Sequence, residues 1–314
     1  MARKIAEGAG RAYDIGTMGV GVALAGAYEL VTGLSSIDPE TGTRGRASIP
    51  TGFLNVDRCT LGLWPGELTV VAGPPGAGKS SFASTVALNA ARSGARVLYV
   101  TLERSAASAA VRMIANQARV DLGKMLGGRL GEDDWGAIAD ASNEISRLDL
   151  LVHDGFFDTG ADFRSLVEAA SERAGGLLVV VDDVDLLERA SLRGPWCAFL
   201  KEVARESGVA ILAVCDSAEG RALPHGSGAA DSVVLLERGP SDPAVVGALI
   251  AKHGLCAPTE TRLCFLPQFS SFVDYAEEDR ASRHGKGRVE ELAANLGMGA
   301  DEVADALDAL CGDE

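Results

Sequence analysis

The sequence predicts an α/β fold, a largely parallel sheet flanked by helices, with an N-terminal helical arm and a C-terminal helical tail. Three observations carry this. From Pro50 to about Asp274, short apolar runs alternate with helix-forming segments, as in a parallel sheet joined by crossover helices. One run, Leu68-Thr-Val-Val-Ala72, leads straight into a Gly-rich turn and then an Ala-rich stretch, Ser80 to Arg92. The chain has 314 residues and 47% hydrophobic content, enough for one large core with appendages.

The elements follow in order. Residues 1 to about 33 form the arm, where Val20, Leu24, Tyr28 and Val31 make an apolar helical stripe that needs a partner to bury it. Gly21 and Gly26 weaken that helix, each by about 1 kcal/mol relative to Ala. Residues 35–49 are polar and turn-rich, so they read as a linker. Strands are expected at 68–72, 96–102, 149–153, 176–182, 209–215, 231–237, 245–252 and 262–267. The chain therefore divides into an arm and linker (1–48), an α/β domain (49–274) and an acidic helical tail (275–314).

Residues Gly73-Pro74-Pro75-Gly76-Ala77-Gly78-Lys79-Ser80-Ser81 complete the phosphate-binding pattern G-x-x-x-x-G-K-S/T. The glycines let the backbone curl so that successive N–H groups point at phosphate oxygens. Lys79 has the reach for the β and γ phosphates, and the Ser80 hydroxyl can ligate Mg²⁺. The helix that follows offers its positive end to the same anion. A strand before and a helix after is the context this chemistry requires. ATP and Mg²⁺ are the cofactors it implies.

Two downstream strands end in carboxylates. Gly176-Leu-Leu-Val-Val-Val-Asp182-Asp183 supplies a second anchor for the Mg²⁺ hydration shell. Asp182 is the better candidate because it is the first residue past the apolar run. Val97-Leu-Tyr-Val-Thr-Leu-Glu103 places Glu103 where a general base could orient the attacking water. Each has a plainer reading, a strand meeting a turn or an acidic residue starting a helix.

Composition excludes several classes. The net charge of −15 argues against generic, charge-driven nucleic-acid binding but leaves room for a local basic channel. Cys59, Cys197, Cys215, Cys256, Cys264 and Cys311 form no C-x-x-C pair and no zinc spacing with the histidines. They read as reduced thiols of a cytoplasmic protein. The uncharged run from Ile15 to Tyr28 is shorter than the roughly 20 residues a spanning helix needs, so no membrane partner is expected.

With these residues placed, the core resembles the ATPase domain of bacterial replicative DNA helicases, the DnaB-like branch of the RecA-type motors. The likeness is collinear over about 49–274. Ile49-Pro-Thr-Gly-Phe-Leu-Asn-Val-Asp57 and Gly62-Leu-Trp-Pro-Gly-Glu-Leu68 carry it most specifically. Thr101-Leu-Glu103-Arg-Ser105 is similar to that family's S-L-E-M-S segment, whose Glu is the catalytic base. Ala118–Asp121, Glu132–Trp135, Ile250–Lys252 and Phe265–Phe272 are similar to other family positions. The resemblance implies a RecA-like core, ATP hydrolysis, a hexameric ring of identical subunits and action on single-stranded DNA. It also implies that Lys252 reaches a neighbouring subunit's γ phosphate. A solvated strand-end lysine is the plainer reading.

This chain departs from the family in several places. The family's K-x-R-x-G is Lys252-His253-Gly254 here, so its arginine is absent. The family's Gln at the end of the next core strand is Asp216. The DNA-contacting stretches are thin in basic residues: Arg221 within 216–231, and Arg189 and Arg193 between Leu187 and Trp196. Residues 289–310 have the rhythm of a helix-turn-helix, yet no Lys or Arg follows Arg288. A protein-docking tail fits that charge better than a DNA reader, which needs cations for phosphate contacts. Three readings stay open: a ring motor on DNA, a regulatory or scaffold ATPase that has lost translocation, and a nucleotide-binding structural oligomer.

Overall fold

The apolar runs become strands and the segments between them become helices. In the computed structural model, the described residues are 20–35, 48–172, 176–189, 195–217, 223–224, 226–239 and 242–275. Helix α1 (Val20–Ser35) forms despite its glycines and leaves Val20, Leu24, Tyr28 and Val31 exposed. Then come α2 (Leu54–Thr60), β1 (Leu68–Gly73), α3 (Lys79–Arg92), β2 (Arg96–Thr101), α4 (Ala106–Ala118), α5 (Leu122–Leu126) and α6 (Glu132–Ile145). They are followed by β3 (Leu150–His153), α7 (Gly160–Ser171), β4 (Leu177–Asp182), α8 (Trp196–Ser207) and β5 (Ala210–Asp216). Strands β6 (Ser232–Arg238), β7 (Val245–Lys252), β8 (Thr259–Leu266) and β9 (Ser271–Asp274) complete the order. The chain separates into two units, Met1–Val273 and Asp274–Glu314. The expected helix-turn-helix at 289–310 lies outside the described residues.

Among the described residues one sheet runs β3-β2-β4-β5-β1-β6-β7-β8-β9. Pairing is parallel from β3 through β6 and antiparallel at β6–β7 and β7–β8. Sequence patterning explains the change. β1 (LTVVAG) and β4 (LLVVVD) are buried along their whole length, as central parallel strands covered on both faces must be. β7 alternates between buried and half-buried positions, as an antiparallel strand with one covered face does. β8 starts at Thr259, earlier than the expected 262, because its polar Thr-Glu-Thr-Arg start pairs as a hairpin arm without an apolar run to announce it. β9 follows a single turn at Pro267–Phe269 and was not expected as a separate strand.

Two apolar layers sandwich the sheet. On one face α3 packs through Phe82, Ala83, Val86, Ala87 and Ala90 against Val71, Val180, Val214 and Val234. On the other, Phe163 and Val167 of α7 and Leu200 and Val203 of α8 cover Leu68, Val70, Val179 and Ile211. Each such side chain contributes about 1.5–3 kcal/mol by leaving water. The small residues of α3 let it lie close to the strands. Phe82 stacks on Phe53 at 5.0 Å and meets Phe272 edge-on at 5.7 Å, joining the chain before β1 to its C-terminal strands.

The 49–63 block is a structural brace. Ile49 and Leu63 exchange backbone hydrogen bonds. The Asp57 carboxylate accepts from Thr51 N, Thr51 Oγ1 and Gly52 N at 2.7–3.1 Å, and Asn89 of α3 donates to the Thr51 carbonyl. Gly62 has φ +92°, and a Cβ there would lie 2.6 Å from the Ile49 carbonyl oxygen.

Strand register sets up the site. Gly73 pairs with Asp216 and Asp182 with Val214, while Thr101 pairs with Asp182. The carboxyl ends of β1, β5, β4 and β2 therefore finish side by side. Parallel α/β sheets place ligands at that edge.

Candidate active site

The phosphate loop leaves β1 at Gly73 and enters α3 at Lys79. Gly78, with φ +94°, makes the turn into the helix. A Cβ at Gly78 would sit 3.0 Å from the Phe272 ring, so conformation and packing both require glycine there. Pro74 and Pro75 carry no N–H. They shape the loop, and the anion-facing donors must come from the residues after them. Ala77 N already donates to Pro74 O at 3.1 Å, tightening the curl. Ser81 is buried, and its hydroxyl pairs with Ser270 Oγ at 2.8 Å, tying α3 to the turn before β9.

Lys79 lies along the loop. Its ammonium donates to the carbonyls of Gly73 (2.9 Å) and Pro74 (3.1 Å) and pairs with Asp216 Oδ1 at 2.7 Å. Asp216 is the last residue of β5, and its place beside Lys79 follows from its register with Gly73.

The two residues expected to hold Mg²⁺ meet. Ser80 Oγ donates to Asp182 Oδ1 at 2.9 Å. The other carboxylate oxygen accepts from Tyr99 OH, also at 2.9 Å. Burial pushes the Asp182 carboxyl above its usual range, opposed by the hydrogen bonds from Ser80 and Tyr99. Tyr99 is pushed well above 10, first by burial and then by the Asp182 charge. Asp183 has φ +74°, which turns the chain away at once and leaves Asp182 facing the loop. Asp tolerates this conformation better than most residues.

A cleft of about 460 Å³ runs over these groups, within the usual range for a ligand site. Glu103 lines it, as do Arg104, Arg112 and Arg238, which sequence reasoning did not single out. The Arg238 guanidinium lies 4.9 Å from the centre of the Phe265 ring, which stacks on Phe272. A second cleft, about 570 Å³, flanks the loop over Leu235, Glu237, Gly247 and Glu260. Lys79 and Ser80 line only the first.

The donors suit Mg²⁺. It takes hard oxygen ligands, usually one or two carboxylates completed by substrate phosphates and water. Ser80 and Asp182 supply that partial set, and no cluster of three or more His, Cys, Asp or Glu occurs among the described residues.

Lys252 stands elsewhere. Antiparallel pairing sets it opposite Val233, at the start of β6. β6 runs parallel to β1 with Ser232 beside Thr69. Lys252 is thus at the opposite end of the strands from its own phosphate loop, donating to the carbonyls of Gly228 (2.9 Å) and Ala230 (2.5 Å). No helix among the described residues is long and apolar enough to cross a membrane.

The chain is similar to known proteins in both sequence and fold. The replicative DNA helicase DnaB of Leifsonia xyli is 31% identical over 261 residues, 73% of this chain and 56% of that protein. That of Haemophilus influenzae is 35% identical over 160 residues, 50% of this chain and 34% of that protein. The chain thus spans between a third and a little over half the length of these relatives. Among solved structures, an ATPase domain superposes with a TM-score of 0.69 at 22% identity, covering 81% of this chain and 98% of that one. A DnaB-like replicative helicase studied with primase gives 0.68 at 21%, covering 81% and 66%. At those identities the superpositions speak to fold alone. The family model for the DnaB-like helicase C-terminal domain matches residues 48–222, more than half of the chain, and the protein belongs to that family.

Proposed function

We propose that this chain hydrolyses ATP with Mg²⁺ and couples the reaction to single-stranded DNA, as a helicase-type motor in replication or DNA handling. The observation that carries this is the meeting of Ser80 and Asp182 at 2.9 Å in the cleft that Lys79 and Glu103 also line. Lys79 turns from Asp216 toward the β and γ phosphates. Ser80 and Asp182 would hold Mg²⁺, which would supply charge screening for the phosphates. Glu103 accepts a proton from the attacking water. Loop N–H groups and the N-terminal end of α3 face the anion.

Further parts of the reading rest on the family. The working form is a homo-hexameric ring in the cytoplasm. The exposed stripe of α1 docks on an adjacent subunit, and the acidic tail takes a protein partner. Lys252, remote from its own loop, acts on a neighbour's γ phosphate after releasing the Gly228 and Ala230 carbonyls. Mixed oligomers test that role: a Lys252→Ala subunit should impair an otherwise normal neighbour. A defect confined to its own site would contradict it.

The decisive experiment for the reading is ATP turnover with and without single-stranded DNA. Stimulation by DNA supports the motor. Turnover indifferent to DNA would favour a regulatory ATPase, a reading that the thin basic content of 216–231 also suits.

A further inference from the structure

We propose that Arg104 is a second cation, beside Lys79, that this chain supplies from within its own subunit to the γ-phosphate end of its nucleotide site. The inference rests on the nucleotide reading above and assigns a residue to it.

The backbone fixes where Arg104 sits. Thr101, the last residue of β2, pairs with Asp182. Leu102 N donates to the Asp182 carbonyl at 3.3 Å, and Thr101 Oγ1 donates to the Arg104 carbonyl at 3.1 Å. These bonds fold residues 101–104 against the end of β4. The Arg104 side chain then lines the cleft together with Lys79, Ser80, Glu103 and Arg112.

Its hydrogen bonding is incomplete. Nη2 lies 3.7 Å from Glu103 Oε2, an ionic contact beyond hydrogen-bond length. Nε is buried and has no acceptor among the described residues. Buried donors are nearly always paired, so an unpaired one needs an explanation. A second guanidinium is close: burial, then the charge of Arg104, pulls Arg112 below its usual value. The Glu103 and Asp182 carboxylates offset part of this charge, and the unpaired Arg104 Nε leaves room for a further anion that both guanidinium groups approach. Arginine's planar fork matches a phosphate's oxygens.

The chemistry balances without a further reactant. The water oxygen bonds to the γ phosphorus as the bond to the β–γ bridging oxygen breaks. The bridging oxygen keeps the electron pair, the water's proton goes to Glu103, and ADP and phosphate result. Arg104 forms no covalent bond. It stabilises charge on the equatorial oxygens, where arginine acts in phosphoryl transfer. Its contact with Glu103 holds base and phosphate to one guanidinium.

The test compares wild type, Arg104→Gln and Arg104→Lys, each checked by thermal melting. Turnover is measured beside affinity for ADP and for ADP with aluminium fluoride, which imitates the transferring phosphoryl group. Arg104→Gln should lower kcat roughly 10²–10³-fold, toward the range of arginine fingers. ADP affinity should hold within about twofold, the added affinity from aluminium fluoride should be lost, and Arg104→Lys should recover part of both. Unchanged kcat in Arg104→Gln, or equal loss of affinity for ADP and its aluminium fluoride complex, would overturn the inference while leaving the nucleotide site standing. A wild-type chain that binds no nucleotide would overturn both.

Discussion

Lys79 and Asp216 form an ion pair at 2.7 Å, which joins the phosphate loop to the end of β5. The Lys79 side chain is 10% exposed and that of Asp216 58%. Nucleotide phosphates must share or displace this partner. A pair with one exposed member is worth at most about 1 kcal/mol, so the competition is mild. Asp216→Asn should tighten binding of ATP and ADP by about two- to fivefold, read by calorimetric titration. Weaker binding in the variant would mean that Asp216 assists the ligand.

Lys79→Ala should abolish nucleotide binding or turnover and leave the fold intact. Among the described residues the ammonium meets two loop carbonyls and Asp216, and none of these belongs to the apolar layers. Titration with nucleotide and a melting curve check the two halves. Wild-type affinity and turnover would remove the site assignment.

Tyr99→Phe should shift the pH dependence of Mg²⁺-nucleotide binding. Asp182 must be ionised to ligate Mg²⁺, and burial already raises its pKa. Binding is therefore present above that raised value and lost as pH falls through it. Removing the Tyr99 hydrogen bond takes away a group that favours the carboxylate. The acid limb should move to higher pH, by up to about one unit if the bond is worth about 1.4 kcal/mol. Mg²⁺-dependent nucleotide affinity followed from neutral pH down through the acid limb measures this. An unmoved limb would contradict the role given to Tyr99.

Strands were legible because burial imposes composition. β1 and β4 are covered on both faces and so must be apolar throughout. The phosphate loop was legible because its backbone geometry demands glycines at fixed spacing, and Asp182 because a carboxylate ending such a strand stands out. Tyr99 was missed because an aromatic residue inside a buried strand looks like core. Its hydroxyl, within an otherwise apolar Val97–Val100 stretch, was the signal that could have found it. Arg104, Arg112 and Arg238 come from β2's end, α4 and β6, and only the sheet order brings them to one cleft. The Lys79–Asp216 pair spans 137 positions of sequence, and register alone creates it. Lys252 shows the converse. Its strand was expected, but antiparallel return placed it at the end of the strands opposite its own loop.

Removing residues 1–33 should weaken assembly and spare the core. The exposed residues of α1 form a stripe, and a surface of this kind marks an interface. Light scattering with ATP and Mg²⁺ present should show a smaller species for the truncated chain. An identical mass would contradict docking by α1.

The central claim is a hydrolytic site in which Glu103 activates water. Steady-state ATP turnover of wild type and Glu103→Gln, each with and without single-stranded DNA, tests it most directly. Wild type should turn over ATP faster with DNA, and Glu103→Gln should bind nucleotide normally but turn over about 10²–10⁴-fold more slowly. Equal turnover by the two proteins would contradict the account.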